Sequence, residues 1–373
     1  MTSGWEAPLL GVTVVDLTSN VAAPFAGAVL ADLGARVTHV EGPRGDDCRR
    51  MSPTMGDASA YFHVVNRNKD GRVLDIREPA GHEALMAMIS EADVFLTNLR
   101  PGKLARLGLD GATLGERFPR LVHASLSAYG PSGDERDKPG YDAVLQARTG
   151  VASVTGTPDG PPVRAGVSIL DVGSGTWLAL GVIAALLRRE RTGRGGAVST
   201  SLFETGASWV SYHVAAHQVT GQPSHRHGSG HPAFSPYGIF RTGDGDICLG
   251  IGSDELFRQL CHSLERPDLL ADSRFTTNEE RSRHAAELRI ELEHTMASGS
   301  ADEWAHRLGG AGLPVDAVHL PEQLLADPQA AETGILLEVP EIGLTIPGLP
   351  LCFDGSRPPV HRPAPSRPHD MGA

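Results

Sequence analysis

The alternation of strand-like and helix-like segments over the first 200 residues is the feature that most constrains the fold. Short apolar runs predict strands and helical spacing predicts helices between them, with strands at 12–17, 36–41, 71–76, 94–97 and 121–127 and helices at 24–34 and 78–92. Strands separated by helices of this length imply crossovers between parallel neighbours, so the sequence predicts an α/β fold with a parallel sheet. Ligands of such a sheet bind at the carboxyl ends of its strands.

The remainder of the chain predicts a second, smaller unit. We predict that residues 1–222 form the N-terminal part of a large domain, that 223–235 form a linker rich in Gly, Ser and His, and that 236–328 form a small α+β domain. Its expected strand pair is 237–241 and 246–251, its expected helices are 254–263, 278–298 and 301–311, and one long helix is expected at 204–220. The Pro-rich end, 357–373, is expected to lie on the surface.

Charge and cysteine usage narrow the functional classes. A formal net charge of −12 argues against binding to nucleic acid or to an anionic membrane. The four cysteines are scattered, which predicts neither a disulfide framework nor a zinc site and favours a reducing compartment, the cytoplasm. No signal peptide is predicted at the N-terminus. The most apolar stretch, 177–187, is interpreted as a buried helix too short to span a bilayer.

Asp171 is the candidate nucleophile. It follows an extended apolar segment, and small residues and then a helix follow it. This pattern predicts a carboxylate at a helix N-terminus, where it stays ionised and can attack an activated carbonyl. The alternative is a structural N-cap, and loss of such a cap on substitution by Ala would cost about 1 kcal/mol.

Cations follow several of the predicted strands. They suit phosphate groups, although taken alone they are better explained as a solvated surface with helix caps; they are Arg44, Arg49, Arg50, Arg77, Arg100, Lys103 and Arg106. The first strand is followed by neither a dinucleotide-binding glycine motif nor a Walker A motif, which disfavours an NAD-dependent oxidoreductase. The histidines 225, 227 and 231 are loosely spaced and interpreted as part of a flexible joint, so no metal site is predicted.

Several motifs in a fixed order resemble those of the family III CoA-transferases, over about residues 9 to 360. They include the segments Gly11–Thr18 with Ala22-Ala23-Pro24, Asn66-Arg67-Asn68-Lys69, Asn98-Leu99-Arg100-Pro101-Gly102, Gly140-Tyr141-Asp142, Thr192-Gly193-Arg194-Gly195 and Leu325-Ala326-Asp327-Pro328. The resemblance implies a Rossmann-like large domain formed by both chain ends, with 329–373 returning to pack on it. It also implies an inserted small domain and a ring-shaped chain that interlocks with a second copy as a homodimer.

The resemblance also implies an activity and a set of site residues. Asp171 would be acylated by an acyl-CoA, and CoA would pass to a small carboxylic acid through an aspartyl anhydride and an aspartyl-CoA thioester. CoA would be bound by Leu74, Arg77, Asn98, Leu99, Arg106, Lys138, Tyr141 and Asp142. No cofactor beyond CoA as a substrate is implied. Gly228-Ser229-Gly230 falls near the family's mobile glycine loop, and a plain linker is an equal reading.

Departures from the family keep two alternatives open. The racemase branch has His where this chain has Tyr141, and a tyrosine is a poor base at neutral pH, so transfer is favoured over racemisation or other α-proton chemistry. A non-catalytic acyl-CoA-binding protein is the second alternative. Ser19 and Val21 replace polar residues of formyl-CoA transferase, which predicts a more apolar pocket and a larger acyl group.

Overall fold

The computed structural model describes residues 6–367, and within them the chain forms two compact units. Unit 1 comprises residues 6–151, 164–215 and 325–367. Unit 2 comprises residues 152–163 and 216–324. Unit 1 is therefore assembled from three separate stretches of the chain, and each unit has its own apolar core.

A parallel sheet forms the centre of unit 1. The strands of its N-terminal two hundred residues are β1 (Thr13–Leu17), β2 (Arg36–Glu41), β3 (Thr54–Met55), β4 (Ala58–Ser59), β5 (Asp70–Val73), β6 (Val94–Thr97), β7 (Val122–Ser127) and β8 (Gly196–Ser201). The sheet has the order β5-β2-β1-β6-β7-β8 with every pairing parallel, and β3 and β4 form a separate antiparallel pair. The predicted α/β fold with a parallel sheet is confirmed.

The helices of this part of the chain cover the sheet and continue into the joint. They are α1 (Ala22–Asp32), α2 (Ala60–Asn66), α3 (Pro79–Ser90), α4 (Pro101–Arg106), α5 (Gly111–Arg117), α6 (Asp142–Thr149), α7 (Val151–Val154), α8 (Ile169–Thr192), α9 (Leu202–Trp209) and α10 (Ser211–Thr220), with a 3₁₀ turn at Asp47–Arg50. The predicted single helix at 204–220 is wrong, because α9 ends at Trp209 and α10 starts at Ser211.

Two differences from the sequence prediction concern β8 and α8. The strand β8 was not predicted, because its small and polar residues alternate between partly buried and exposed positions and carry no apolar run. The apolar stretch that was predicted to be too short to span a bilayer is part of α8. This helix has 24 residues and is, by length and composition, long and apolar enough to span one, with a mean hydropathy of 1.7 in its apolar window. Half of that apolar window is buried, and α8 packs against α1 in the core of unit 1.

Unit 2 is built on an antiparallel sheet with helices packed on it. Its strands are β9 (Tyr237–Arg241), β10 (Asp246–Gly250) and β11 (Val315–Ala317), in the order β11-β10-β9. Its helices are α11 (Asp254–Ser263), α12 (Asp268–Ala271), α13 (Asn278–Arg283), α14 (Ala285–Met296) and α15 (Ala301–Gly310). The predicted helix at 278–298 is divided at His284, between α13 and α14.

The C-terminal segment belongs to unit 1. After a 3₁₀ turn at Pro321–Ala326 come α16 (Pro328–Thr333), the antiparallel strands β12 (Leu336–Val339) and β13 (Leu344–Pro347), and between them a 3₁₀ turn at Pro340–Ile342. Beyond them the chain runs along the β5 side of the unit. There Asn68 donates to the carbonyl of Pro359 at 3.0 Å and Arg49 donates to that of Pro365 at 2.9 Å. Of the predicted surface tail, 368–373 lies outside the described residues.

Candidate active site

The main cavity of unit 1 lies at the carboxyl ends of its central strands and has a volume of about 650 Å³. Its walls include the segment 19–22, which follows β1, and the segment 98–100, which follows β6. They also include residue 127, the last of β7, and residue 128, which follows it. The order in which successive strands are added to the sheet changes direction between β1 and β6, and the connecting helices of such a sheet diverge there to opposite faces and leave a crevice. This is the position that the sequence predicted for a ligand.

The walls of this cavity carry an excess of positive charge. The cationic side chains of Arg100, Lys103, Arg106, Arg136 and Lys138 line it, together with the acids Asp137 and Asp171. Asp137 is engaged, because it accepts a hydrogen bond from the backbone N–H of Gly102 at 2.8 Å. The cavity is therefore suited to an anionic ligand, in spite of the acidic net charge of the whole chain.

A smaller cavity of about 300 Å³ adjoins the first. Leu74 and Arg77 line it, and Asn98, Leu99 and Lys103 line both cavities. Arg77 is held by Asp75, with 2.6 Å between the guanidinium and the carboxylate. Two adjoining cavities therefore hold Asp171 and all but one of the residues that the family resemblance implies for CoA binding. These residues are Leu74, Arg77, Asn98, Leu99, Arg106, Lys138 and Tyr141.

Asn98 has both ends of its side-chain amide engaged by the loop after β1. Its Oδ1 accepts from the N–H of Ser19 at 3.1 Å, and its Nδ2 donates to the carbonyl of Ser19 at 2.8 Å. The same loop places Asn20 in the left-handed region, with φ of 68°, which asparagine tolerates better than most residues. Asn98 therefore fixes the shape of the cavity wall that the loop forms.

Asp171 lies in the first turn of α8, two residues after the helix begins at Ile169. The N-cap position belongs to Ser168, so the prediction that Asp171 precedes the helix is wrong. The carboxyl group is half-buried and lines the cavity. Burial is the larger cause that raises its pKa, and the charge of Asp142 is the second; together they raise it to about 7. Among residues 6–367, no hydrogen bond to this carboxyl lowers the pKa again. The expectation that Asp171 stays ionised is therefore corrected to partial protonation at neutral pH.

Asp142 is buried and does not line the cavity. Its Oδ2 accepts from the N–H of Leu170 at 2.8 Å and of Asp171 at 3.3 Å, and its Oδ1 accepts from Nε2 of Gln146 at 2.5 Å. The structure thus separates Asp142 from the other predicted CoA-binding residues. The Gly-Tyr-Asp motif marked the position, but a spacing pattern cannot show whether a side chain faces the cavity or the protein interior.

A family model named CoA-transferase family III matches residues 9–370. The acetyl-CoA:oxalate CoA-transferase of Acetobacter aceti is 34% identical over 370 residues, covering 99% of this chain and 95% of the relative. Succinyl-CoA:glutarate CoA-transferase of Homo sapiens is 33% identical, over 96% of this chain and 83% of its own. A crystal structure of a CAIB/BAIF family protein from Brucella suis superimposes with a TM-score of 0.89, at 30% identity and with 97% of each chain covered.

The chain belongs to CoA-transferase family III. The resemblance inferred from its motifs is confirmed, and the cavity at the carboxyl ends of β1, β6 and β7 becomes the candidate active site of a CoA-transferase.

A buried ionic cluster beneath the loop after β1 was missed by sequence reasoning. Lys69 donates to Asp16 at 2.8 Å, and the ring of His39 lies 3.4 Å from Asp16 and 3.6 Å from Asp46. Although burial opposes ionisation, Lys69 and His39 hold the pKa of Asp16 below its usual range. Asp46 in turn accepts from the N–H of Asn20 at 3.0 Å. The cluster of this CoA-transferase therefore supports the loop that lines its cavity.

The glycine-rich joint is hydrogen-bonded within unit 2. The N–H of Gly228 donates to Gly156 at 2.9 Å, and Oγ of Ser229 accepts from the N–H of Ile239 at 2.8 Å. The ring of His231 stacks on Phe234 at 4.8 Å. Across the described residues, no cluster of three metal-ligating side chains is found.

Proposed function

We propose that this chain transfers CoA from an acyl-CoA donor to a carboxylic acid, with Asp171 as the nucleophile. The observation that carries the proposal is the position of Asp171: a half-buried carboxyl with a raised pKa on the wall of a cation-lined cavity. A carboxylate in a drier environment loses part of its hydration, and its higher basicity makes it a stronger nucleophile once it is ionised.

The proposed reaction proceeds in four covalent steps. The Asp171 carboxylate attacks the thioester carbonyl, the C–S bond breaks, and CoA leaves as a thiolate, which gives a mixed anhydride. The thiolate then attacks the aspartyl carbonyl and releases the donor acid, which gives an aspartyl-CoA thioester. The acceptor carboxylate attacks this thioester, and the released thiolate attacks the acceptor's acyl carbonyl. The products are a new acyl-CoA and free Asp171, and activation is never lost to water.

Recognition of CoA is proposed to rest on the cations of the two cavities. Arg106 is exposed on the cavity wall and forms no ion pair with any residue between 6 and 367, so its guanidinium is available to a phosphate. The rest of CoA is proposed to contact the other residues implied by the resemblance that line these cavities: Leu74, Arg77, Asn98, Leu99, Lys138 and Tyr141. No cofactor besides CoA enters these steps.

The acyl group is proposed to be larger than formyl or oxalyl. Val21, Ala22, Leu126 and Leu202 contribute apolar surface to the cavity that holds Asp171. Apolar walls favour an acyl chain that buries its own apolar surface. Relatives are named for transfer to oxalate and to glutarate, so both acids belong in an acceptor panel.

We also propose that the chain acts as a homodimer in a reducing compartment, the cytoplasm. Several large apolar side chains of α8 and α10 are exposed, among them Trp177, Leu180, Leu187, Tyr212 and Val219. Exposed apolar helix surfaces of this kind favour burial against a second copy. Light scattering that gives a monomer would contradict the dimer.

The proposed compartment is supported by the cysteines. All four cysteines of the chain are free, as a reducing compartment allows.

Mass spectrometry of acyl-CoAs mixed with free acids in D₂O tests the transfer. New CoA esters are expected with the wild type and none with Asp171→Asn, while Asp134→Asn on an exposed loop serves as the matched control. Trapping with borohydride should convert Asp171 of the thioester intermediate to homoserine. Unchanged esters that gain one deuterium would instead indicate α-proton chemistry, and tight CoA binding without any exchange would indicate a binding protein.

A further inference from the structure

Asp142 lies where the N-termini of two helices meet. It is the first residue of α6, after the N-cap Tyr141, and its carboxylate also reaches the N–H groups of Leu170 and Asp171 in the first turn of α8. N–H groups in a first helical turn have no acceptor within their own helix. Because Ser168, the N-cap of α8, makes no side-chain cap, Asp142 supplies that cap from a neighbouring helix.

Gln146 keeps the Asp142 carboxylate in this position. One helical turn after Asp142, its Nε2 donates to Asp142 Oδ1 at 2.5 Å, and its Oε1 accepts from the N–H of Ala165 at 2.8 Å. Both residues are buried, with Gln146 at 0% and Asp142 at 5% exposure. The segment that leads into α8 is therefore tied to α6 at Ala165, Leu170 and Asp171.

Among residues 6–367, the charge of Asp142 has one nearby counter-ion, and that counter-ion faces solvent. Arg164 lies 3.7 Å from Asp142 Oδ1, and half of its side chain is exposed. Asp142 of α6 faces Asp171, Arg164 from the segment before α8 faces Asp142, and Lys138 and Tyr141 line the same cavity as Asp171. Burial is the larger cause of the raised pKa of Asp171, and the charge of Asp142 is the second cause.

We propose that Asp142 is a positioning residue for the nucleophile: it ties the first turn of α8 to α6 and holds a fixed negative charge beside the Asp171 carboxyl. The role in catalysis rests on the proposed function, whereas the effect on Asp171 itself does not. The ionised Asp171 is destabilised by this charge, but an Asp171 converted to anhydride or thioester is neutral and is not. Asp142 therefore favours acylation of Asp171 over the free carboxylate.

A stability cycle tests the electrostatic part without any assay of activity. Asp171→Asn is introduced into the wild type and into Asp142→Asn, and the change in Tm on removing the Asp171 charge is measured at pH 5 and pH 8. We expect the gain at pH 8 to be smaller in the Asp142→Asn background than in the wild type but to fall by less than half, because burial is the larger cause of the raised pKa of Asp171. An equal gain in both backgrounds would overturn the proposal.

Arg164→Gln tests the effect of the Asp142 charge from the other direction, because it removes the counter-ion of Asp142 instead of Asp142 itself. Arg164 is partly exposed to solvent. Without this counter-ion the charge of Asp142 acts more strongly, so Asp171→Asn should raise Tm at pH 8 by more than it does in the wild type. This variant decides the question if Asp142→Asn fails to fold. A gain that stays the same or shrinks would contradict a charge-based role.

The pH profile of the first half-reaction, release of CoA from an acyl-CoA, tests the catalytic part. Its ascending limb should move to lower pH by about one unit in Asp142→Asn and to higher pH in Arg164→Gln. A purely structural role would lower the rate at every pH and leave the limb in place, which would refute positioning by charge. If no acyl-CoA reacts, the proposed function fails, and the stability cycle still decides the role of Asp142.

Discussion

Replacing Asp171 by asparagine should stabilise this protein, and the gain in stability should depend on pH. A carboxyl group whose pKa is raised on folding binds its proton more tightly in the folded state, so its ionisation costs stability. For Asp171 the pKa rises from 3.8 to about 7 through burial and the Asp142 charge. The cost is therefore absent below about pH 4, grows between pH 4 and pH 7, and is complete above pH 7. Asp171→Asn removes it.

The size of the effect follows from the pKa difference. At about 1.4 kcal/mol for each pH unit, a rise from 3.8 to about 7 corresponds to at most about 4 kcal/mol. Because solvent reaches the half-buried carboxyl through the cavity, roughly half of this, ~2 kcal/mol, is expected at pH 8. With an unfolding entropy of about 2 cal/mol/K per residue, ~2 kcal/mol raises Tm by about 2–3 °C. At pH 5 the gain should be only about 1 °C.

Thermal unfolding of wild type and Asp171→Asn between pH 5 and pH 8 measures this difference. Asp134→Asn, an exposed carboxyl on a loop of the same unit, is the matched control. If Asp171 acted as the N-cap that its sequence context suggests, the variant would lose about 1 kcal/mol at every pH. A uniform loss, or a gain that increases toward pH 5, would refute the reasoning.

Three further predictions concern binding and packing. Arg106→Ala should raise KM for the acyl-CoA roughly tenfold and change kcat less, because its guanidinium is proposed to bind phosphate; Arg117→Ala on α5 is the control in steady-state kinetics. Gly175→Ala should cost about 1–3 kcal/mol, because its Cβ would lie 2.4 Å from the carbonyl oxygen of Ala22, whereas Gly115→Ala, with open space around it, should be neutral or stabilising in a urea titration. Lys69→Met should cost about 3–5 kcal/mol in the same titration by leaving the buried Asp16 without its cation, and a loss under 1 kcal/mol would contradict the ionic pairing.

Strand β1 and helix α1 illustrate what local sequence could predict. Both appear close to their expected positions because apolar periodicity is a local property, and burial in the core preserves it. The polar strand β8 was missed for the same reason, since its place in the sheet depends on pairing with β7 rather than on its own pattern. The boundary between α9 and α10 likewise left no signal in the apolar spacing.

The sequence by itself determined the family, the parallel sheet, and the end of that sheet where a ligand would bind, since motif order and apolar periodicity are written along the chain. It also singled out Asp171. Only the tertiary structure decided the environment of that carboxyl: α8 begins before it, Asp142 reaches it from α6, and burial raises its pKa. Burial and the distance between charges depend on how helices far apart in sequence pack together, and these two quantities set the ionisation of Asp171.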